Sequence, residues 1–126
     1  MKVYTDLEQS HKLAEILPLE SADMTFLSEE SLVPKVNYNG MVFFNSKEEN
    51  LTNIIPCWSL AALLDIIPKR IKDFNVLRID IGEKDFAIWY DEIGYGVNSE
   101  LPDITLESPV DACVEMIIKL HKQKLL

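Results

Sequence analysis

The stretch from Leu77 to Tyr90 decides the fold, and it reads LRIDIGEKDFAIWY. Apolar residues alternate with polar or small ones on both sides of the GEKD segment at 82–85, and a period of two is typical of half-buried strands. The central segment has the composition of a turn. The stretch therefore predicts an antiparallel hairpin with one face toward a core and one toward water or a partner. The sequence GYGV at 94–97 predicts a third strand.

The C-terminal stretch, residues 108–126, predicts a helix by several local signals that agree. Ser108 can cap the helix start, and Pro109 stands at the first helical position, where a missing N–H costs nothing. Acidic residues lie near the start and lysines near the end, as the helix dipole favours. Apolar residues recur on one side at helical spacing, and they are Val110, Cys113, Val114, Ile117 and Leu120.

Two more helices are predicted. Thr5 and Glu8 have the spacing of a capping box, so the first helix begins at Thr5, and Pro18 ends it. Residues 56–68 read PCWSLAALLDIIP, and this apolar stretch predicts a buried helix lying across a sheet. It is far shorter than a bilayer-spanning helix, which needs about 20 residues.

The remaining segments are less regular. Short strands are predicted at Asp23–Leu27 and Met41–Phe44, with a turn at Asn37–Gly40, where Asn39-Gly40 is a hairpin dipeptide. Polar segments at Ser46–Asn53 and Ser99–Glu107 are predicted to be loops.

Antiparallel strands, with helices at both ends and one between, predict an α+β fold. We expect a single domain, residues 1–126, with a small antiparallel sheet of three to five strands and about three helices packed mainly on one face. A chain of this length can bury one core. The core is expected to include Leu13, Leu17, Trp58, Leu60, Leu63, Leu64, Ile79, Ile81, Ile88, Cys113, Val114 and Ile117.

The chain is acidic, with a net charge of −9, and residues 75–107 carry eight acids and two bases. Such a surface repels phosphate backbones and anionic membranes, so neither nucleic acid nor a membrane is an expected partner. The chain opens without the apolar run of a signal peptide, and it has two cysteines. A reduced, cytoplasmic protein is the simplest interpretation.

Residue types with catalytic or metal-binding chemistry are present without a defining motif. Cys57 and Cys113 are too few for a zinc site, and the pair Asp80 and Asp85 lacks further ligands, so we expect no metal and no cofactor. Cys57 lies near the start of a predicted helix, which would lower its pKa, and it is the best candidate nucleophile. We lean toward a protein that is not an enzyme.

The best candidate binding site is the aromatic and acidic stretch of the hairpin. It comprises Trp89, Tyr90, Asp91, Glu92 and Tyr95. Aromatic residues beside acids are enriched where proteins recognise partners, and these can grip a basic peptide or a planar ligand. The structural alternative is that Trp89 and Tyr90 pack on opposite faces of the sheet while Tyr95 fills a gap.

Four stretches carry a resemblance, and they read YTDLEQS at 4–10, LPLESADM at 17–24, CWSLAALL at 57–64 and PVDACVEMI at 109–117. Together they resemble a family of small uncharacterised proteins from gut Bacteroides-type bacteria, associated with phages or other mobile elements. The resemblance does not extend to residues 25–56 or to parts of 75–107. It implies an origin, and it implies no activity, cofactor or catalytic residue.

These observations predict a cytoplasmic, non-enzymatic protein-interaction module that docks a protein partner on its sheet or hairpin. A homodimer is compatible with an open sheet edge. Two alternatives stay open: an acidic decoy that mimics nucleic-acid charge, and a small ligand-binding protein or hydrolase with a concave pocket.

Overall fold

The structure, a computed structural model, describes residues 1–28, 30, 33–36 and 55–126. Over these residues the predicted α+β class is confirmed, with three α-helices and two antiparallel sheets of three and five strands. The helices are α1 Leu7–Ala14, α2 Leu60–Ile66 and α3 Pro109–Lys122. The strands are β1 Met24–Phe26, β2 Lys35–Val36, β3 Ile55–Cys57, β4 Arg70–Ile71, β5 Asn75–Ile81, β6 Phe86–Glu92, β7 Gly96–Val97 and β8 Ile104–Leu106.

Several predicted elements can be compared with these bounds. The strand predicted at Asp23–Leu27 is confirmed as β1. The strand at Met41–Phe44, the turn at Asn37–Gly40 and the loop at Ser46–Asn53 lie outside the described residues. The segment Ser99–Glu107, predicted to be a loop throughout, contains β8.

The chain divides into two compact units, and the prediction of a single domain stays a prediction. The N-terminal unit comprises Val3–Ala62, and the C-terminal unit comprises Met1–Lys2 with Leu63–Leu126. The boundary falls within α2, so the division does not coincide with a loop.

In the N-terminal unit, β1 pairs antiparallel with β2 and β3, and α1 packs on β3. The predicted helix start is wrong by one residue. Asp6, rather than Thr5, caps α1, and it forms a capping box with Gln9. Thr5 is fully buried instead, where its Oγ1 accepts a hydrogen bond from the backbone N–H of Trp58 at 3.1 Å and lies 2.8 Å from Oγ of Ser10.

The predicted helix at residues 56–68 is shorter and less buried than expected. Its first residues belong to β3, and α2 begins only at Leu60. Ser59 sets this start, because its Oγ accepts a hydrogen bond from Ala62 N–H at 3.2 Å, and both its N–H and its Oγ donate to Asp23. Within α2 the buried residue is Leu63, while Leu60 and Leu64 are half-buried.

In the C-terminal unit, β5 and β6 form the predicted hairpin, with β4 on the outer side of β5. Both β7 and β8 pair with the other side of β6. The helix α3 begins as predicted, with Ser108 Oγ accepting a hydrogen bond from Asp111 N–H at 3.2 Å, and it packs on β6 and β8.

The core of this unit lies between α3 and the face of β6 that carries Phe86, Ile88 and Tyr90. Two predicted core residues are exposed instead: Ile79 by 41% and Ile81 by 77%. Their register pairs them with Ile88 and Phe86, so they share the core-facing side. They lie on β5, one strand beyond the strands on which α3 packs.

The buried hydroxyl of Thr5 is expected to stabilise the N-terminal unit. In Thr5→Val the Trp58 N–H keeps its buried position but loses its acceptor, which costs about 1–3 kcal/mol. Urea unfolding followed by circular dichroism measures this free energy. The control is Thr105→Val on an exposed position of β8, which should change stability by less than about 0.5 kcal/mol. Equal stability of the two variants would contradict the role assigned to Thr5.

Candidate interaction surface

The outer face of the five-stranded sheet, opposite the core, carries Trp89 at its centre. Arg78 is its direct cross-strand neighbour on β5. Trp89 Nε1 donates a hydrogen bond to Asp91 Oδ1 at 2.8 Å, and Arg78 Nε lies 3.4 Å from Asp91 Oδ2. Asp91 therefore engages a different residue with each carboxylate oxygen. The hydrogen bond to Asp91 holds the Trp89 indole in one orientation at the surface. Asp91 is itself paired with the Arg78 guanidinium.

This arrangement lowers the cost of binding at the surface. A half-buried tryptophan that already has a defined orientation loses less side-chain entropy when a partner covers it. Tryptophan and arginine are also the residue types most enriched among residues that dominate interface energies. We name the group Arg78, Trp89 and Asp91 the Trp89 face.

Tyr90 points to the opposite side of the sheet and is fully buried. Its Oη donates a hydrogen bond to the backbone carbonyl of Pro68 at 2.6 Å, and burial raises the pKa of its hydroxyl. Tyr90 is one of the five residues predicted as a binding site, but it is a core residue on the buried face of β6. Trp89 and Tyr90 lie on opposite faces, as the structural alternative expected.

Glu92 and Tyr95 lie at the end of the sheet, where β6 turns into β7. The Tyr95 N–H donates to the Glu92 carbonyl at 2.9 Å, which closes the turn, and Gly94 and Gly96 adopt positive φ angles of 88° and 84°. Such angles favour glycine over any residue with a Cβ. Tyr95 is 85% exposed, so it presents its ring to solvent and does not fill a gap.

A polar cleft of about 420 Å³ opens at this end of the sheet, and its size is within the usual range for small-ligand sites. Two of its lining residues are joined by a hydrogen bond, in which Asn98 Nδ2 donates to Asn75 Oδ1 at 2.8 Å. The lining residues are Lys72, Phe74, Asn75, Glu92, Val97, Asn98, Ser99 and Glu100. Of these, Glu92 alone belongs to the predicted site.

Neither Arg78 of the Trp89 face nor Phe74, which lines the cleft, was singled out from the sequence. Phe74 is 65% exposed, and it follows Lys72 and Asp73, which both have positive φ angles without being glycine. Consecutive left-handed residues cost conformational energy, of order 1 kcal/mol or more each, and they close the tight connection between β4 and β5. The sequence signal for an exposed Phe74 was its position directly after two charged residues, Lys72 and Asp73.

The predicted nucleophile, Cys57, is in β3 rather than at a helix start, and it is fully buried. Burial raises the pKa of its thiol, although hydrogen bonds from Thr5 and Ser10 act in the opposite direction. Burial likewise raises the pKa of Cys113 to about 12, with Lys69 lowering it by a smaller amount. Neither thiol has the exposed, electropositive surroundings that stabilise a reactive thiolate.

Within the described ranges, no three His, Cys, Asp or Glu side chains converge as a metal site would require. No helix in the described part of the chain combines the length and apolar character needed to cross a membrane.

Comparison of the chain with protein-family models, with curated proteins and with solved structures found no match. The resemblance to small proteins of gut Bacteroides-type bacteria therefore stays a prediction.

Both cysteines are expected to be unreactive in the folded protein. At about pH 8 a thiol reagent such as dithionitrobenzoate should label neither cysteine until denaturant is added, because both thiols are buried and protonated. Mass spectrometry of the labelled chain counts the modified thiols. Rapid labelling of the native protein at Cys57 would restore the enzyme hypothesis.

The pKa of Cys113 also predicts a pH dependence of stability. A thiol that ionises at about 9 when unfolded and at about 12 when folded favours the folded state fully below pH 9. This contribution is lost as the pH rises from 9 toward 12, since only the unfolded thiol ionises in that window. The melting temperature should fall there less steeply in Cys113→Ala than in the wild type. Parallel curves would contradict the assignment.

Proposed function

We propose that this protein is a non-enzymatic interaction module that binds a partner protein on the Trp89 face. The observation that carries the proposal is the pairing of Trp89 and Arg78 with the two oxygens of Asp91 on a solvent-facing sheet surface. An ordered aromatic anchor beside an arginine is the composition of an interface hot spot. The burial of both cysteines supports the non-enzymatic part of the proposal.

The net charge of the chain, −9, indicates the chemistry of the partner. Residues 85–118 contain eight acidic residues and neither lysine nor arginine. A partner with a basic surface would be attracted at long range, and the apolar contact at Trp89 would then hold it. The proposal includes a cytoplasmic location, which the two free cysteines support because disulfides are rare there.

The test compares partner capture by the wild type, Trp89→Ala and Phe74→Ala. Phe74→Ala is the matched control, because it removes an exposed aromatic side chain of the same unit outside the Trp89 face. Each variant is immobilised and incubated with a lysate of the source cells, and quantitative mass spectrometry identifies proteins that the wild type and Phe74→Ala retain. We expect Trp89→Ala to bind such a protein roughly 30-fold more weakly, as truncation of a hot-spot tryptophan does.

Binding at two salt concentrations separates this proposal from the acidic decoy. Contact at Trp89 should survive an increase from about 0.05 M to about 0.5 M salt, whereas charge mimicry should not, because screening removes it. Circular dichroism and thermal melting confirm that Trp89→Ala is folded. Equal capture by Trp89→Ala and the wild type would contradict the proposal.

A second candidate, small-ligand binding, is favoured by one observation, the polar cleft next to Glu92. A native mass spectrum of freshly purified protein tests it. A mass above the 14.4 kDa chain that disappears in Asn98→Ala would support a ligand in the cleft. The unmodified mass in both proteins would leave the interaction module as the better account.

A further inference from the structure

The outer edge of β5 is only partly occupied. Strand β4 pairs with β5 at Asn75 and Val76, and the Leu77 N–H donates to the Lys69 carbonyl at 2.9 Å. Past this point, residues 78–81 have no strand on their outer side within the described part of the chain. The free edge, as we call residues 78–81, is therefore four residues long.

The pattern of backbone hydrogen bonds shows which groups of the free edge point outward. Consecutive residues of an antiparallel strand direct their N–H and C=O groups alternately to opposite sides. Because the Leu77 N–H points outward to Lys69, the backbone groups of Ile79 and Ile81 also point outward. Those of Arg78 and Asp80 point toward β6, with which both residues pair. Ile79 and Ile81 thus offer two sets of donors and acceptors to an added strand.

The side chains of the free edge have a defined distribution over the two faces of the sheet. Ile79 and Ile81 lie on the core-facing side yet are 41% and 77% exposed. Asp80 lies on the outer face and is exposed. An added strand would therefore meet apolar surface on one face and a carboxylate on the other. Directly opposite residues interact across strands, so each position has a preferred partner type.

A second copy of this chain fits the free edge poorly. In the two-fold antiparallel register that centres on Ile79, residue 81 of one copy would lie opposite Leu77 of the other. The outward N–H of Leu77 is already bonded to the Lys69 carbonyl, so this position is occupied. In the register that centres on Asp80, the outward groups of Ile79 and Ile81 match, but Asp80 lies directly opposite its own copy. Like charges at directly opposite positions are destabilising.

We propose that the free edge of β5 binds an extended segment of a different chain, with a lysine or arginine opposite Asp80 and apolar residues opposite Ile79 and Ile81. Main-chain hydrogen bonds supply affinity in this mode of recognition, and the alternating side chains supply selectivity. Asp80 has two consequences at once, because it attracts a basic residue and opposes self-pairing. The proposal concerns a surface other than the Trp89 face and stands without it.

The protein itself provides the first test. In Asp80→Lys the charge is reversed, so each protein alone places like charges opposite each other, whereas the mixture places Lys opposite Asp80. We expect the heterodimer in the mixture to have a Kd roughly tenfold lower than that of either homodimer, so the wild type and Asp80→Lys should each be monomers at concentrations at which the mixture dimerises. Sedimentation velocity measures the three samples. The control is Asp103→Lys, which makes the same charge change at an exposed position away from β5.

Two results of this experiment would overturn the proposal. A mixture with Asp80→Lys that associates no more tightly than the mixture with Asp103→Lys would show that the free edge does not pair strands. A wild-type dimer that Ile79→Pro abolishes would show that the edge accepts a second copy, which the charge argument excludes.

Peptides test the chemistry of the occupant directly. Two peptides, acetyl-Thr-Val-Lys-Val-Thr-amide and the same peptide with Glu for Lys, are titrated into labelled protein and followed by amide NMR. We expect the Lys peptide to shift the amide signals of Ile79 and Ile81 and to bind roughly tenfold more tightly than the Glu peptide. In Asp80→Lys the preference should reverse. Equal binding of both peptides, or unchanged Ile79 and Ile81 signals, would overturn the proposal.

Discussion

The register of β5 against β6 is the constraint on which the C-terminal unit depends. The turn at Gly82–Asp85 sets it, with Gly82 N–H donating to the Asp85 carbonyl at 2.8 Å. A Cβ at Gly82 would lie 2.7 Å from Asp85 Oδ1 and 3.3 Å from the Asp85 carbonyl oxygen, so a larger residue would force the Asp85 side chain to move. A slip of one residue would exchange the two faces of the strand. With β6 held in place, it would turn Arg78 to the core-facing side of the sheet and Ile79 and Ile81 to the outer face.

The helix α3 packs on only one of the two hairpin strands, and this difference determines which apolar residues of the hairpin are exposed. The helix α3 packs on β6 and β8, so the core-facing residues of β6 are buried. The end of β5 has the same alternation but lies one strand further away, and its isoleucines stay exposed. The free edge is therefore a consequence of how one helix is placed. Strand register groups Arg78 and Trp89 on one face, and the packing of α3 on the opposite face leaves that face outside the core.

Each of the two proposed surfaces depends on an aspartate side chain. Asp91 orders the Trp89 face by engaging both Trp89 and Arg78, and Asp80 discriminates among strands that could add to the free edge. One carboxylate is already paired within the protein, and the other faces solvent. Both surfaces would select a basic partner, by long-range attraction at the Trp89 face and by a directly opposite charge at the edge.

Several local details escaped the sequence reasoning because tertiary contacts competed with local signals. Thr5 and Asp6 are both good helix caps, and the burial of Thr5 against Trp58 left the cap to Asp6. Cys57 lies in an apolar run whose composition favours helix, but pairing with Met24 in β1 makes it a strand residue. The segment containing β8 carries no alternation long enough to predict a strand, and it forms one by pairing with β6.

The sequence by itself determined the hairpin, the C-terminal helix and the α+β class, because alternation, turn residues and capping residues act over short distances along the chain. It also determined that Trp89 and Tyr90 lie on opposite faces, since the side-chain period of a strand is two. Only the tertiary structure decided which face is buried, that Ile79 and Ile81 remain exposed, and that Cys57 is a buried strand residue. These properties depend on where α3 packs and on pairing between distant segments, which no local pattern encodes.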